Sequence, residues 1–414
     1  MVDTAVVVCP AGGLPEANLL ETVRVAGLSL LTRVLLTARH AGIARFIVVA
    51  SGDQQTSLRA ALGREGRFHE PVEWQEPATD PRLPSGRCLV LLPSVVLTAN
   101  ALRMWLGQAP QADGIISSQG AGGGPVLVPA DALGACVEAA GKGIEGLAAF
   151  LRRTANEGRL TWHPWDGLPP LSVRSAADAP AVERAMLKAL RTPEDGPIVD
   201  RYVNRTVSGP LTRLLVRSPI TPNQLTVVSL LTGLLAAWVL GHEGWWLSLL
   251  GLALFQSSVI LDHSDGEVAR LTFQFSPLGK WLDNWSDHVV DLTIIACLAR
   301  RVSASMGLAR VVGLGLAAAA GVTGSFLVVF FWTLRGGTEG AGASSRRAAD
   351  TLISMANRDG FCLALWATVL IGRPAWFLWT LALGSNLYWL AWLVLCGLPS
   401  RAKAGEVGPG ITGA

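Results

Sequence analysis

Four aspartates near the middle of the chain have the residue type and the spacing that a metal-dependent reaction needs. They lie in the segment from Asp262 to Asp287, which reads DHSDGEVARLTFQFSPLGKWLDNWSD. The first two, at 262 and 265, are three residues apart, and Asp283 and Asp287 are four apart. On helices each pair would share one face, and two such helices side by side would bring the four carboxylates together.

Four convergent carboxylates repel one another unless cations lie between them. Carboxylate oxygens are hard ligands, of the kind that Mg²⁺ and Mn²⁺ prefer. Two such ions can hold a pyrophosphate and stabilise both the attacking and the leaving oxygen of a displacement at phosphorus. The sequence therefore predicts a site for two Mg²⁺ or Mn²⁺ ions, with the ligands Asp262, Asp265, Asp283 and Asp287.

Small and basic residues between the aspartates add to this prediction. Gly266, Ala269 and Gly279 leave room for a nucleotide or a neighbouring helix to approach the backbone. The guanidinium of Arg270 can bind phosphate with two parallel hydrogen bonds. The competing interpretation is a solvated loop in which the acids pair with Arg270, Lys280 and His288. Glu267 is expected to face the loop between the second and third spans.

The part of the chain around these residues has the composition of a membrane protein. Apolar residues make up 50% of the chain, and the mean hydropathy is +0.40. We expect six transmembrane helices, with the acids at the ends of the second and third. The six apolar stretches are Thr221–Leu240, Trp245–Leu261, Leu278–Leu298, Leu308–Leu334, Leu352–Ile371 and Trp376–Leu395.

An amphipathic helix is predicted just before the first of these spans. Apolar residues recur at helical spacing from Val199 to Val216, and arginines punctuate the same stretch. This pattern is typical of a helix that lies on a membrane surface.

The amino-terminal half has the pattern of a soluble α/β domain. Buried strands are predicted at Ala5–Val8, Phe46–Val49 and Cys88–Leu92, and helices at Leu28–Ala41 and Ala99–Trp105. Strands that alternate with helices indicate a Rossmann-like, mostly parallel sheet with helices on both faces. The predicted parts of the chain are this α/β domain at 1–190, a linker at 191–198, the amphipathic helix at 199–217, an all-α transmembrane domain at 218–398 and a tail at 399–414.

Charge and cysteine usage indicate where the protein is located. The net charge of +3 argues against a nucleic-acid partner, and six scattered cysteines favour a reducing compartment. The short apolar run at the start is not expected to be a secretory signal. Basic residues in the loop at 335–350 and in the tail favour the cytoplasm, although those at 300–310 weaken the bias. We expect a multi-pass protein of the cell membrane, with its amino-terminal domain and its acidic site on the cytoplasmic side.

The spacing of the acids resembles the signature of the CDP-alcohol phosphotransferase family. The pattern Asp-x2-Asp-Gly-x2-Ala-Arg-x8-Gly-x3-Asp-x3-Asp is matched at all eight of its fixed positions between Asp262 and Asp287. A second match, Thr221-Pro222-Asn223-x2-Thr226, lies at the start of the first span. By itself it predicts a helix start, with Thr221 as the N-cap and Pro222 in the first turn.

The resemblance, over about residues 198 to 397, implies a reaction and roles for residues. In that family a hydroxyl attacks the β-phosphorus of a CDP-alcohol, and CMP leaves. Carried over, Asp262, Asp265 and Asp283 are metal ligands, and Asp287 is both a ligand and the general base. The implied partners are a CDP-alcohol donor, an alcohol or phospho-alcohol acceptor, the lipid bilayer and a second copy of the chain. The residues implied to bind the cytidine diphosphate are Thr221, Pro222, Asn223, Asp262, Asp265, Gly266, Ala269, Arg270 and Gly279.

A basic residue in the fifth span is a candidate for binding the acceptor. Asn357-Arg358-Asp359 interrupts the span near its start. Inserting an Arg costs about 2.5 kcal/mol or more at the bilayer centre and less near a helix end. One interpretation is an ion pair with Asp359 or a side chain that reaches the membrane surface. The other is that Arg358 faces the cavity beside the aspartates and binds an anionic group of the acceptor.

The amino-terminal domain resembles sugar-phosphate nucleotidyltransferases more loosely, over residues 5 to about 52. It departs from them where chemistry is expected. Gly12-Gly13 runs directly into Leu14 without that family's Arg and Lys, and Leu92-Pro93-Ser94 stands where the family has a metal-binding Asp. A triphosphate would meet no cation in this loop beyond Arg24 and Arg33. We therefore expect a nucleotidyltransferase-like fold without catalysis, and the fusion resembles the inositol-phosphate members of the family.

Three alternatives remain open beside a transferase with one activity. The amino-terminal domain could itself make the CDP-alcohol, for example CDP-inositol, which would give a bifunctional enzyme. An ion transporter would use acids near the bilayer midplane to bind the cation that it moves. A scaffold without activity would retain only the fold.

Overall fold

The computed structural model describes most of the chain. The described residues are 2–11, 20, 22–77, 84, 86–109, 114–118, 124–190, 199–334 and 358–396. The chain forms two compact units. The first consists of residues 1–190 with the short segments 216–218 and 271–273, and the second consists of the remaining residues from 191 onward.

A seven-stranded sheet is the centre of the first unit. The strands of this unit are, in chain order, β1 (Thr4–Val8), β2 (Arg24–Val25), β3 (Leu28–Ser29), β4 (Arg45–Val49), β5 (Val72–Gln75), β6 (Cys88–Leu91), β7 (Val95–Val96), β8 (Ile115–Ser118), β9 (Val126–Val128), β10 (Leu160–His163) and β11 (Leu171–Ser172). The large sheet has the order β10-β8-β9-β6-β1-β4-β5.

Continuous apolar runs explain why these strands lie inside the unit. Every residue of β1 and of β6 is buried, which is typical of strands covered on both faces. β1 pairs in parallel with β4 and β6, β4 with β5, and β8 with β10, whereas β9 is antiparallel to β6 and β8. The predicted α/β domain with a mostly parallel sheet is therefore confirmed.

The helices of the first unit differ from the prediction mainly at their ends. The predicted helix at Leu28–Ala41 begins later, because Leu28 and Ser29 pair with β2 in a small hairpin. Ser29 also caps the helix, since its hydroxyl accepts a hydrogen bond from the Thr32 amide at 3.3 Å. The helices are α1 (Leu30–His40), α2 (Gly52–Glu65), α3 (Ala99–Gln108), α4 (Ala130–Gly141), α5 (Gly143–Asn156) and α6 (Ala179–Ala189).

The second unit is helical. After a π-helical turn at Asp200–Asn204 come α7 (Arg205–Leu215), α8 (Pro222–Leu240), α9 (Trp245–Thr272), α10 (Pro277–Met306), α11 (Leu308–Leu334), α12 (Arg358–Leu370) and α13 (Pro374–Cys396). Buried apolar side chains from α8 to α13 form one core, in which Phe255, Ile294 and Phe377 are fully buried.

Within the described part of the second unit, four helices are long and apolar enough to cross a membrane, whereas six were expected for the whole chain. The four are Pro222–Leu240, Trp245–Thr272, Leu308–Phe331 and Pro374–Val394. The expected third span forms α10, which carries three aspartates in its first half. The expected fifth lies partly outside the described residues, and Gly360–Leu370 is a shorter apolar helix.

Exposed apolar side chains mark the second unit as the membrane part of the protein. Among the described residues, Met104 and Trp162 are the two exposed large apolar side chains of the amino-terminal part, and all the others lie after residue 200. A soluble protein rarely exposes so many large apolar side chains on a few helices. The distribution is the one expected of a helical bundle whose outer surface meets lipid.

The predicted amphipathic segment is helical, and its polar face is turned inward. The buried face comprises Asn204, Arg205, Ser208 and Thr212. On the other face, Tyr202 and Leu214 are 68% and 69% exposed. Buried polar groups require hydrogen-bond partners inside the unit. The position of this helix relative to a membrane surface stays a prediction.

Small and hydroxyl-bearing residues bring α8, α9 and α10 into close contact. Ser229 on α8 and Ser258 on α9 each donate a hydrogen bond to the other's backbone carbonyl, both at 2.9 Å. A Cβ atom on Gly233 would lie 2.6 Å from Cγ2 of Val290 on α10. Contacts of this kind drive helix association in lipid, where the hydrophobic effect does not act between helices.

Two arginines cap the carboxyl end of α8. Arg300 on α10 donates a hydrogen bond to the Gly241 carbonyl at 2.8 Å, and Arg301 donates to the Leu240 carbonyl at 3.1 Å. The last carbonyls of a helix have no partner within it, and these guanidinium groups supply one. The basic residues that run against the expected charge bias therefore have a structural use.

We expect Gly233→Ala to destabilise the second unit, because the added methyl group would overlap Val290 and the Ser258 hydroxyl. Overpacking typically costs about 1–3 kcal/mol. Thermal unfolding of the solubilised protein should show a Tm lowered by at least about 2 °C. Gly384→Ala on α13 is the matched control, since nothing lies within 4 Å of a Cβ atom there. Equal Tm values for the two variants would contradict the close packing.

Candidate active site

The acids lie inside two long helices. α9 continues without a break through Asp262 and Asp265 and ends at Thr272. The second pair, Asp283 and Asp287, lies in the first half of α10. The expectation that the second span ends before the acids, and that a loop follows, is therefore wrong. Because both pairs are helical, each pair does share one face, as the spacing predicted.

Three of the four predicted metal ligands converge. One carboxylate oxygen from each of Asp262, Asp265 and Asp283 can be chosen so that all three lie within 4.8 Å of one another. Asp265 is buried, and the other two are half-buried. Carboxylates at this separation repel strongly where water is scarce, and a cation between them removes the repulsion. An all-oxygen donor set suits Mg²⁺ or Mn²⁺, so the residues fit the predicted metal.

Asp287 lies beside this trio. It follows Asp283 by one turn of α10 and is half-buried. It is close enough to Asp265 for their charges to interact. The structure therefore groups three of the predicted ligands and places the fourth next to them.

Thr226 on α8 makes a contact that the acids alone did not predict. Its buried hydroxyl donates a hydrogen bond to Oδ2 of Asp265, and it also lies 3.2 Å from the Pro222 carbonyl. This hydrogen bond orients the Asp265 carboxylate toward α8. The sequence could have indicated a role for Thr226, because it follows Pro222 of the second motif by four residues and therefore lies on the same face of α8.

The start of α8 has the predicted cap. The Thr221 hydroxyl accepts a hydrogen bond from the Gln224 amide at 3.4 Å, and the Gln224 side chain accepts one from the Thr221 amide at 2.9 Å. Pro222 occupies the first turn, where its missing N–H has no consequence. The capping box satisfies two backbone groups and confirms the predicted helix start.

Asn223 brings the start of α8 against the start of α10. A Cβ atom on Gly279 would lie 2.7 Å from Oδ1 of Asn223 and 2.8 Å from Oγ of Ser276. Ser276 in turn caps α10, since its hydroxyl accepts a hydrogen bond from the Gly279 amide at 2.8 Å. A side chain at position 279 would therefore have to displace Asn223 or the Ser276 hydroxyl that caps α10.

The residues after the first pair of acids lie on the last turns of α9. A Cβ atom on Gly266 would lie 3.4 Å from an Nη atom of Arg270, so the guanidinium lies over Gly266. Arg270 is exposed, and Ala269 is half-buried. This arrangement places a cation that can bind phosphate within about one turn of the acids.

The two histidines that flank the acids make other contacts. Nδ1 of His263 lies 2.9 Å from the Val259 carbonyl of its own helix. Nε2 of His288 lies 3.3 Å from the Thr323 hydroxyl, and its ring stacks on Phe326 with 4.5 Å between the ring centroids. The donor atoms that converge at Asp262, Asp265 and Asp283 are thus all carboxylate oxygens.

Two predicted features fall outside the described part of the chain. The backbone of Arg358, the predicted acceptor-binding residue, begins α12, but its side chain lies outside the described residues. The glycine loop at Gly12-Gly13 lies outside them as well.

In the first unit, Arg24 and Arg33 are held by contacts within the fold. Arg33 is 1% exposed, and its Nε and Nη2 atoms donate to the Val25 carbonyl at 3.1 and 2.7 Å. Burial lowers the pKa of its guanidinium to about 10, which leaves it charged at neutral pH. Arg24 forms an ion pair with Glu65 at 3.2 Å. Ser94 is fully buried.

Residues 219–395 match the model of the family described as CDP-alcohol phosphatidyltransferase. This range contains both acid-bearing helices, α9 and α10. The chain therefore carries a domain of that family, as the resemblance of its acid spacing predicted.

Known proteins are similar to part of the chain. A bifunctional IPC transferase and DIPP synthase from Thermococcus kodakarensis is 37% identical over 135 residues, which are 32% of this chain and 30% of that protein. A protein of the same name from Aquifex aeolicus is 34% identical over 136 residues, which are 33% of this chain and 30% of that protein. The matches thus span 30% of the length of these curated relatives.

A solved structure also shows a distant likeness. It is described as a glucose-1-phosphate thymidylyltransferase from Bacillus anthracis. It is 10% identical to this chain, with a TM-score of 0.34, and the match covers 46% of this chain and 96% of that one. A likeness at this level carries no argument about function.

We expect the purified protein to bind Mn²⁺, measured as loss of the free-ion EPR signal, because the trio offers an all-carboxylate donor set. Asp283→Asn removes one negative ligand with little change in size and should raise the Kd for Mn²⁺ about tenfold or more. Glu243→Gln, at an exposed carboxylate outside the trio, is the control and should leave the Kd unchanged. Equal affinities for Asp283→Asn and the unaltered protein would show that the acids are not a metal site.

Proposed function

We propose that this chain, which carries a CDP-alcohol phosphatidyltransferase domain over residues 219–395, transfers a phospho-alcohol group from a CDP-alcohol to an acceptor hydroxyl. The observation that carries the proposal is the convergence of Asp262, Asp265 and Asp283 within 4.8 Å. Acidic side chains are costly inside a helical membrane bundle and indicate function there. Grouped carboxylates are suited to ions that hold a pyrophosphate.

The proposed reaction is a single displacement at phosphorus. The metal ions, when bound, neutralise the carboxylates and stabilise the charge of the pyrophosphate. Asp262, Asp265 and Asp283 would hold them, and Thr226 keeps Asp265 oriented. Asp287, which lies beside the trio and can serve as a fourth ligand, takes the proton of the acceptor hydroxyl as its oxygen attacks the β-phosphorus. The bond from this phosphorus to the bridging oxygen breaks, and CMP leaves with the electron pair.

The start of α8 and the end of α9 are proposed to hold the cytidine diphosphate. Two contacts support this assignment: Asn223 lies against Gly279 at the start of α10, and the exposed Arg270 lies over Gly266. These contacts bring the second motif and the acid signature together at one end of the helices. The proposed set is Thr221, Pro222, Asn223, Asp262, Asp265, Gly266, Ala269, Arg270 and Gly279.

The proposed setting is the cell membrane, with six spans and the acids near the cytoplasmic face. Four helices among the described residues have the length and composition of spans, and we assign α10 and α12 as the other two. The apolar outer face of the segment 199–217 would contact lipid. We also propose that two copies of the chain associate. The domain limits 1–190 and 218–398, with the linker 191–198 and the tail 399–414, belong to the same proposal.

The substrates are proposed by chemistry. The donor is CDP-diacylglycerol or a soluble CDP-polyol such as CDP-inositol, and the acceptor is an alcohol or a phosphorylated alcohol. Arg358 at the start of α12 is the proposed ligand for an acceptor phosphate, since a guanidinium binds phosphate with two hydrogen bonds.

The direct test is CMP release by the purified protein from a panel of CDP-alcohols, with the products identified by mass spectrometry. CMP should appear with Mg²⁺ or Mn²⁺, disappear with EDTA and return with added metal. Full activity in chelator would rule out the metal-dependent reaction. Metal transport into vesicles without CMP release would favour the ion transporter, and Mn²⁺ binding with neither activity would favour the scaffold.

We expect Asp287→Asn to lower kcat by about two to four orders of magnitude, because the amide cannot accept the proton of the attacking hydroxyl. The substitution barely changes the volume of the side chain, so the Tm should stay close to that of the unaltered protein. Turnover within tenfold of the unaltered protein would exclude Asp287 as the base.

A second candidate is a bifunctional enzyme whose first unit makes the CDP-alcohol. The relatives named bifunctional IPC transferase and DIPP synthase favour two activities. The first unit argues against it, because Arg33 and Arg24 are held by the Val25 carbonyl and Glu65, and a buried Ser94 replaces the expected acid.

We therefore predict that the full-length protein releases no pyrophosphate from CTP and a phosphorylated alcohol. The measurement is a coupled pyrophosphate assay with Mg²⁺, run beside a heat-inactivated sample. Pyrophosphate release above that control, with formation of a CDP-alcohol, would establish the bifunctional enzyme instead.

A further inference from the structure

A buried acid lies on the side of α9 that faces away from the metal ligands. Glu267 was expected to face a loop, but it is 2% exposed. It follows Asp265 by two residues, and two residues turn about 200° around a helix. The two carboxylates therefore leave α9 in nearly opposite directions.

Three side chains of α7 bind Glu267. Nη1 of Arg205 donates to Oε1 at 2.5 Å, and the Ser208 hydroxyl donates to the same oxygen at 3.2 Å. The Thr212 hydroxyl donates to Oε2 at 2.6 Å. The side chains of Arg205 and Glu267 are 7% and 3% exposed. Both oxygens of a buried carboxylate are thus held by one neighbouring helix.

A second polar contact joins the same two parts of the chain. The Gln256 amide on α9 donates to Oδ1 of Asn204, which lies just before α7, and the Trp366 indole donates to Oε1 of Gln256 at 3.2 Å. Gln256 and Glu267 are eleven residues apart, which places them within about 20° of one helix face and about 16 Å apart along the axis. We call this pair of contacts the polar seam. It fixes both the rotation and the height of α9 against the preceding segment.

We propose that Glu267 is a positioning residue for the metal-binding aspartates, an inference that rests on the proposed function. α9 is held on one side by the hydrogen bond from Thr226 to Asp265 and on the other by the hydrogen bonds of Glu267. A carboxylate lies about 5 Å from the helix axis, so a rotation of about 10° moves it about 1 Å. A displacement of about 1 Å at a reacting site can lower the rate about 100-fold.

A structural role alone would have a different signature. If Glu267 only held α7 in place, replacing the ion pair by apolar side chains of similar length would restore the function together with the stability. A positioning role requires the hydrogen bonds themselves, because apolar contacts do not define a rotation. Stability and metal binding must therefore be measured on the same variants.

The experiment compares Arg205→Met/Glu267→Met with the unaltered protein. The readouts are the Tm, the Kd for Mn²⁺ by EPR without substrate, and kcat and KM for the CDP-alcohol. Arg301→Met is the matched control, because it removes an arginine hydrogen bond between α8 and α10 that lies away from the acids. Arg205→Lys tests for rescue, since it keeps the positive charge and a donor. Thr212→Val removes one hydrogen bond to Glu267 and is the mild variant if the paired replacement does not fold.

We expect the paired replacement to keep its Tm within a few degrees of the unaltered protein. Its Kd for Mn²⁺ should rise, and its kcat should fall, each about tenfold or more, with a smaller change in donor KM. Thr212→Val should show the same changes at about threefold, Arg205→Lys should recover part of the loss, and Arg301→Met should change the Tm alone. Unaltered Mn²⁺ affinity and kcat in both the paired variant and Thr212→Val, or losses matched by Arg301→Met at equal Tm, would overturn the proposal.

The Kd for Mn²⁺ distinguishes a failure of the positioning role of Glu267 from a failure of the proposed reaction. If the unaltered protein binds Mn²⁺ but releases no CMP, the proposed function fails, and the Kd values alone decide the role of Glu267. If it releases CMP and the variants match it in both Mn²⁺ affinity and kcat, the reaction stands and the positioning role of Glu267 fails.

Discussion

Like charges held close together where water is scarce determine how the second unit must be built. Three carboxylates lie within 4.8 Å of one another on helices of a membrane bundle. Their repulsion is larger there than in water, and it acts to separate α9 from α10 whenever the charge between them is not compensated. The helices that carry the acids must therefore be fixed by contacts strong enough to resist that force whenever the charge of the acids is uncompensated.

These helices are held together by the kinds of contact that remain effective in lipid. In a bilayer, helices gain little from burying apolar side chains against each other, so close backbone approach and hydrogen bonds between helices must hold them. The reciprocal bonds of Ser229 and Ser258 join α8 to α9, and the absent side chain of Gly233 lets Val290 approach. Arg300 and Arg301 on α10 donate hydrogen bonds to carbonyls at the carboxyl end of α8. Each of these residues acts on the distance between helices that carry or orient an acid.

The sequence predicts the arrangement of the four aspartates well, because the spacing of residues along a helix determines the direction in which each side chain points. Separations of three and four residues place carboxylates on one face whatever surrounds the helix, and the cap at Thr221 depends only on its neighbours in sequence. The continuation of α9 through Gly266 was missed, because a polar, glycine-bearing stretch after an apolar run has the composition of a loop. The burial of Glu267 could not be predicted either. Its partners Arg205 and Thr212 lie 62 and 55 residues earlier in the chain, and local pattern does not reveal which distant segment packs on a helix.

The polar seam also explains why a buried ion pair is preferable here to an apolar contact. A buried pair adds little stability compared with well-packed apolar side chains, so stability is a weak reason for it. An apolar contact, however, would let α7 rotate or slide on α9 at small cost, because methyl groups can exchange neighbours without losing a defined bond. The hydrogen bonds to both oxygens of Glu267 are satisfied in one register, and every other register leaves a buried charge without its donors. A helix that must hold two aspartates against mutual repulsion needs this uniqueness, and the residues that provide it lie on its opposite face.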